Sequence, residues 1–154
     1  MRTTPVFIRG AAQASQFKGS SLPPQDYWFE PMQKVAKEIY AKSEVTRADL
    51  DGLMIYDNFT PTVLFSLEGF GFCPVGESGN WVDEGHLRLG SDYPANTSGG
   101  HLSDAYLQGW GLNLEAVRQI RGECGARQIK NANFIQYMAA SPIVTSVIYG
   151  REEA

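Results

Sequence analysis

Cysteine and histidine are both scarce in this chain of 154 residues, which contains two of each. Cys73 and Cys124 lie far apart, and no Cys or His pair has the spacing of a metal site. We therefore predict no metal centre and no disulfide. The two cysteines are expected to be buried or free thiols, as in proteins of the reducing cytoplasm.

The chain also lacks an excess of basic charge and any long apolar run. Its net charge of −4 argues against a nucleic-acid partner, because phosphate binding needs clustered Lys and Arg. No apolar run approaches the ~18 residues of a membrane span, and the N-terminus has no signal-peptide pattern. These absences predict a cytoplasmic protein without a membrane span, and the composition identifies no function.

What the chain does contain is an alternation of strand-like and helical patterns, which predicts a mixed sheet with helices on it. The predicted strands lie at residues 5–11, 53–56, 94–96, 134–139 and 144–149. The predicted helices lie near residues 31–43, 59–69 and 103–121. The pattern predicts one α/β domain over residues 1–154, in the order βαβαβαββ, with the last two of its five strands antiparallel. Residues 70–93 are predicted to form a long loop excursion, with a small hairpin around residues 83–85.

A glycine pair, Gly99–Gly100, follows the third predicted strand and precedes the longest helical pattern. Glycine has no Cβ, so the backbone of such a turn can approach a ligand closely. Tyr106 is predicted to lie in the first turns of that helix. Tyr56 ends the strand at 53–56, and ligands of α/β sheets gather outside the carboxyl ends of strands. From residue type alone, packing is the commoner role for both tyrosines.

Three other polar residues have simpler explanations. Asp57 is expected to cap the helix that starts near Phe59. Cys73 resembles a nucleophile, but the sequence places no His or Lys beside it, so burial is the better explanation. His86 lies in the long loop and is expected at the surface.

Several stretches of the chain resemble the C-terminal half of thiolases, in the order of that family. Residues 94–109, PANTSGGHLSDAYLQG, resemble the thiolase stretch that reads Asn-Pro-Ser-Gly-Gly and continues into Gly-His-Pro. The other matching stretches are IYDNF at 55–59, GFCPVGE at 71–77 and EAVRQIRG at 115–122. The last two are similar to the sterol-carrier-protein branch, and the likeness is greatest to the lipid-transfer-protein aldolases of steroid side-chain degradation. The resemblance implies a thiolase-like C-terminal domain.

The resemblance also implies which residues are functional. Tyr56 and Tyr106 stand where thiolases carry a catalytic asparagine and histidine, so they are the predicted catalytic pair. Gly99–Gly100 and His101 are the predicted substrate-binding residues, although the family assigns no role to His101. The place of the second thiolase cysteine falls at about Met138, whose thioether cannot act as a base. We expect that the fold was kept while the chemistry changed.

The implied activity is that of a carbon–carbon lyase, a retro-aldolase that cleaves a 3-hydroxyacyl-CoA. The implied substrate is a steroid side-chain CoA thioester, cut to a 17-ketosteroid and propionyl-CoA. This cleavage needs a base and an acid, but no covalent intermediate and no cofactor beyond the coenzyme A of the substrate. Two alternatives stay open: a non-catalytic acyl-CoA-binding or scaffolding subunit, and one half of a Claisen-type acyl-CoA thiolase.

A full thiolase fold pairs two similar halves, and this sequence supplies one of them. The resemblance therefore implies an N-terminal thiolase half as a partner, in the same or a separate chain. It further implies a partner subunit with an oligonucleotide-fold domain and a zinc ribbon, in a dimeric or heterotetrameric assembly.

Overall fold

The computed structural model describes residues 4–15 and 29–151 of the chain. Within these residues, four strands form one mixed sheet in the order β1-β4-β3-β2. They are β1 (Phe7–Ala14), β2 (Gly52–Ile55), β3 (Phe134–Ala139) and β4 (Val144–Gly150). β2 is parallel to β3, whereas β4 is antiparallel to both β3 and β1. The α/β class is confirmed, and the last two strands are antiparallel as predicted.

The helices of the described residues connect and cover these strands. They are α1 (Phe29–Ser43), α2 (Thr60–Gly69), α3 (Ser78–Asp83), α4 (Gly100–Ser103) and α5 (Trp110–Arg121). α1 and α2 lie where the apolar spacing predicts helices. In the described ranges, 4–15 and 29–151, no helix is long and apolar enough to cross a bilayer.

Helices cover the sheet on both faces, as the burial of the β2 side chains shows. Leu53 and Ile55 are fully buried in a cluster with apolar residues of α1, whereas Met54 is fully buried in a second cluster with residues of α5. Successive side chains of a strand point to opposite faces, so a strand between two helical layers is apolar at every position. β2 is thus fixed from both sides, and its carboxyl end is a rigid place for a functional side chain.

The predicted fifth strand at residues 94–96 is wrong, because the segment contributes only one bridge, between Ala95 and Leu53. Asn96 has a φ of 46°, which takes the backbone out of the extended region after a single paired residue. The Asn96 side-chain amide then replaces the next backbone pair. Its Oδ1 accepts the Ile55 N–H at 2.7 Å, and its Nδ2 donates to the Ile55 carbonyl at 2.8 Å.

The predicted helix at 103–121 is interrupted at residues 104–109, which separate α4 from α5. Gln108 and Gly109 both have positive φ, at 48° and 86°, and this left-handed backbone cannot continue a helix. A Cβ at position 109 would lie 2.3 Å from the Tyr137 hydroxyl oxygen, so only glycine fits there. Tyr106 therefore lies in a connecting loop, and its predicted place on a helix is wrong.

The predicted excursion at 70–93 contains more structure than its composition indicates. Helix α3 lies inside it, and residues 83–85 end that helix in a turn at Gly85 rather than forming a hairpin. The first strand also continues to Ala14, beyond its predicted end, because residues 10–14 pair with β4. A register shift between Ile8 and Gly10 leaves Arg9 as the extra residue of β1, and Gly10 pairs with Ile148.

Candidate active site

Tyr56 follows directly after β2 and is held by backbone bonds on two sides. Its N–H donates to the Met138 carbonyl of β3 at 2.8 Å, and its own carbonyl accepts the Thr62 hydroxyl at 3.0 Å. The Asn96 amide fixes Ile55, the residue before it, from the other edge. The position of the Tyr56 ring is thereby set by rigid backbone, as a preorganised site requires.

The glycine pair forms a tight left-handed turn beneath this strand end. Gly99 and Gly100 have φ values of 101° and 71°, which side chains other than glycine rarely adopt. A Cβ at Gly100 would lie 2.2 Å from Asp57 Oδ2, so the turn and the Asp57 carboxylate are packed against each other. The predicted turn is present, and its glycines are required by both conformation and space.

Asp57 does not cap α2, which corrects the sequence-based prediction. The N-cap position of α2 is Phe59, and Pro61 follows in the first turn. Asp57 is buried, and its Oδ1 instead accepts the backbone N–H of His101 at 2.7 Å. The side chain thus ties the end of β2 to the glycine turn, two segments that are distant in the sequence.

His101 contacts both of the predicted catalytic tyrosines. Its ring centroid lies 5.1 Å from that of Tyr56, at an interplanar angle of 71°, and 4.4 Å from that of Tyr106, at 58°. These are contact distances for aromatic rings. The structure therefore places Tyr56, His101 and Tyr106 in one cluster over the glycine turn, with Tyr106 largely exposed at 73%.

The surroundings of Tyr56 disfavour its ionised form. Burial raises the pKa of Tyr56, and the neighbouring Tyr106 and Asp57 raise it further because they add negative charge nearby. Tyr56 is consequently a neutral phenol at neutral pH, able to donate a proton or a hydrogen bond.

Tyr137 is a member of this region that the sequence does not reveal. It lies on β3, pairs with Met54 of β2, and belongs to the same apolar cluster as Tyr56. Its pKa is raised to about 12 by burial and by the nearby Tyr56 and Tyr149. Strand alternation could have found it, because Met138 packs in the opposite cluster with α1 and leaves Tyr137 facing α5.

A buried carboxylate, paired with a half-exposed arginine, lies beside the start of the glycine turn. Glu115 of α5 is 1% exposed, and the Arg127 guanidinium donates to both of its oxygens, at 2.8 and 3.1 Å. The Thr97 hydroxyl also donates to Glu115 at 2.8 Å and accepts from Gln119. Burial alone would raise the pKa of Glu115, but these donors outweigh it and hold that pKa below its usual value.

The two cysteines are buried free thiols, as expected. Burial raises the pKa of Cys73, with contributions from Glu68 and Glu77, and it raises the pKa of Cys124 to about 11. A nucleophilic cysteine needs the opposite shift. His86 is partly buried rather than fully exposed, stacked on Trp81 at 4.5 Å. Across the described ranges, no group of three or more His, Cys, Asp or Glu residues could hold a metal ion.

Comparison with known proteins identifies the family of this chain. A family profile described as thiolase C-terminal domain-like matches residues 11–144. The chain is 37% identical over 124 residues to a steroid side-chain-cleaving aldolase of Thermomonospora curvata, covering 77% of this chain and 31% of that protein. It is 36% identical over 126 residues to the 17-hydroxy-3-oxo-4-pregnene-20-carboxyl-CoA lyase of Mycobacterium tuberculosis, covering 79% and 33%.

A more distant relative and a solved structure indicate the same family. Human sterol carrier protein 2 is 35% identical over 107 residues, covering 68% of this chain and 20% of that protein. The solved Ltp2-ChsH2(DUF35) aldolase superimposes with a TM-score of 0.88 at 32% identity, covering 97% of this chain and 40% of that one. The chain thus spans about a third of the length of the two lyase relatives.

Proposed function

This chain belongs to the thiolase C-terminal domain-like family, and from that premise we propose that it is part of a retro-aldolase that cleaves a 3-hydroxyacyl-CoA. The proposed substrate is a steroid side-chain CoA thioester, and the products are a 17-ketosteroid and propionyl-CoA. The observation that carries the proposal is the cluster of Tyr56 and Tyr106 around His101, above the glycine turn. The names of two lyase relatives at 36 and 37% identity support the substrate class.

The mechanism requires one group to take a proton and another to give one. A base removes the proton of the β-hydroxyl, the Cα–Cβ bond breaks, and an enolate of the leaving acyl-CoA forms. An acid then protonates its α-carbon. We assign the base to Tyr106 and the acid to Tyr56, because burial and the neighbouring Tyr106 and Asp57 raise the pKa of Tyr56 and so disfavour its phenolate. No metal or redox cofactor takes part, and coenzyme A belongs to the substrate.

The glycine turn is the proposed binding place of the thioester. Gly99 and Gly100 carry no side chains, and the turn lies under the two tyrosines, so a thioester could approach its backbone closely. His101 follows the turn and would contact the same group. An enolate oxygen forming here would gain from nearby backbone donors that are already oriented.

The thiol chemistry of a Claisen thiolase has less support in this chain. The two buried cysteines have raised pKa values, and the resemblance to thiolases puts the place of the second thiolase cysteine at about Met138, which is fully buried. On β3, the residue that offers a second catalytic group is Tyr137. Aldol cleavage uses hydroxyl groups alone, which fits this set of side chains better than acyl transfer does.

We further propose that the active enzyme is an assembly. The loop and helix start after the glycine turn expose large apolar side chains, with Tyr106 at 73%, Trp110 at 69% and Leu102 at 61%. A partner surface would cover such a patch. The partners proposed are an N-terminal thiolase half and a subunit with an oligonucleotide-fold domain and a zinc ribbon, in a dimer or heterotetramer. The two-component name of the Ltp2-ChsH2(DUF35) aldolase supports a partner subunit.

The test is a product assay on the assembled complex. Incubation with 17-hydroxy-3-oxo-4-pregnene-20-carboxyl-CoA should release the 17-ketosteroid and propionyl-CoA, measured by liquid chromatography and mass spectrometry. A thiolase half would instead require free coenzyme A and a 3-ketoacyl-CoA. A scaffolding subunit would bind the thioester without cleaving it, and either of those results would refute the aldolase proposal.

A further inference from the structure

The imidazole of His101 contacts both tyrosines that the proposed reaction uses, at ring-centroid distances of 5.1 Å to Tyr56 and 4.4 Å to Tyr106. Its backbone N–H donates to Asp57 Oδ1 at 2.7 Å, so the residue is held in this place by a buried carboxylate. The imidazole is therefore a shared neighbour of both phenol rings.

The Nε2 atom of His101 is buried and has no hydrogen-bond partner within residues 4–15 and 29–151. An unsatisfied buried polar atom destabilises the folded state, and a phenylalanine would fill the same space without that effect. Such an atom therefore requires an explanation in another state of the molecule. A nitrogen that forms its hydrogen bond only during turnover is such an explanation.

The proposed cleavage requires a proton transfer in which this nitrogen could take part. In one turnover the base gains a proton from the β-hydroxyl, and the acid loses a proton to the α-carbon. The reaction as a whole neither consumes nor releases a proton. The enzyme is ready for the next substrate only when the proton on the base has returned to the acid.

We infer that His101 carries this proton from Tyr106 back to Tyr56, an inference that rests on the proposed aldol cleavage. The O–H bond of Tyr106 breaks as one imidazole nitrogen gains the proton, and the N–H bond at the other nitrogen breaks as the Tyr56 hydroxyl re-forms. No oxidant, metal or additional reactant enters the step. An imidazole suits the step, because one ring nitrogen can accept a proton while the other releases one.

Other titratable groups also face the His101 ring, and they contribute to how the rate of the cluster depends on pH. Asp57 lies behind the His101 backbone, and Asp104 lines the same small cavity as the ring. Tyr137 approaches that cavity through Gly109. A change at His101 alone should therefore remove one ionisation from the rate profile and leave those of its neighbours.

The test compares His101→Phe and His101→Gln in the assembled enzyme, with His86→Gln as the matched control. Both His101 changes should lower kcat by about ten- to a hundredfold, less than the ~10²–10⁴-fold of a direct acid or base, with KM within about twofold. The limb of the pH–rate profile that reports an imidazole should disappear. Added imidazole should restore part of the rate of His101→Phe. The control changes the only other histidine and should keep both the rate and the profile.

Each outcome decides the inference. A wild-type rate and profile in the His101 variants overturns it and leaves the proposed function intact. A lower kcat with an unchanged profile and no imidazole rescue shows that His101 only packs, which also overturns it. Failure of the wild-type complex to cleave the substrate refutes the proposed function itself, and the inference with it. If His101→Phe misfolds by circular dichroism, His101→Gln alone decides by its pH profile.

Discussion

Replacing Gly100 by alanine should destabilise the protein much more than the same change at Gly122. Both residues have φ between 70° and 80°, at 71° and 76°, so both substitutions pay the cost of a left-handed alanine, ~1–2 kcal/mol. The surroundings differ. A Cβ at Gly100 would lie 2.2 Å from Asp57 Oδ2, whereas a Cβ at Gly122 meets nothing within 4 Å.

The size of the loss in stability at Gly100 follows from the hydrogen bond that Asp57 would lose. To make room, its carboxylate has to leave the His101 N–H, a hydrogen bond to a charged group worth ~1.5–3 kcal/mol. We therefore expect a loss of ~2.5–5 kcal/mol in the free energy of unfolding for Gly100→Ala and ~1–2 kcal/mol for Gly122→Ala. Urea unfolding followed by tryptophan fluorescence measures both, with slopes compared to detect changes in the unfolded state.

A double-mutant cycle separates steric conflict from local strain. In an Asp57→Ala background the carboxylate is gone, so Gly100→Ala should cost no more than Gly122→Ala does. Equal losses for the two glycine changes in the wild-type background would refute the packing of Asp57 against the turn. A large loss at Gly100 that persists in the Asp57→Ala background would refute it as well.

Three further predictions concern the chemistry and the assembly. Tyr56→Phe and Tyr106→Phe should each lower kcat by ~10²–10⁴-fold with KM little changed, because the ring packing stays and only the hydroxyl is lost. If both variants kept the wild-type rate, neither tyrosine would belong to the mechanism. Cys73→Ser and Cys124→Ser should leave the steady-state rate within a small factor, and abolished turnover would point to thiol-dependent acyl transfer instead. The chain expressed alone should self-associate or lack activity in sedimentation and product assays, because its apolar patch is uncovered, and an active monomer would contradict this.

The sequence predicted the parts of the fold that local pattern controls. α1 has clear apolar spacing, α2 is an apolar run closed by a glycine, and the two final strands are rich in β-formers, so their positions follow from residue type. The placement of Tyr56 at a strand end followed from the short apolar run before it. The family itself was identified from motifs, and the profile match at residues 11–144 confirms it.

The remaining features depend on contacts between distant segments. Gly109, in the interruption at 104–109, packs against the Tyr137 hydroxyl of β3, and nothing in the local sequence indicates that partner. Asp57 looks like an N-cap in the sequence, yet its partner is the His101 backbone across the turn. The roles of Tyr56 and Tyr106 stay predictions until their hydroxyls are removed and the rates measured.

The Asn96 amide, which replaces a fifth strand with one side chain, makes the site sensitive to chemical ageing. An asparagine is needed there because one atom must donate and the other must accept, and both partners belong to Ile55. Deamidation to aspartate would put a negative oxygen against the Ile55 carbonyl in place of a donor. The residue next to Ile55 is Tyr56, so this change at one side chain would loosen the strand end that carries the proposed acid.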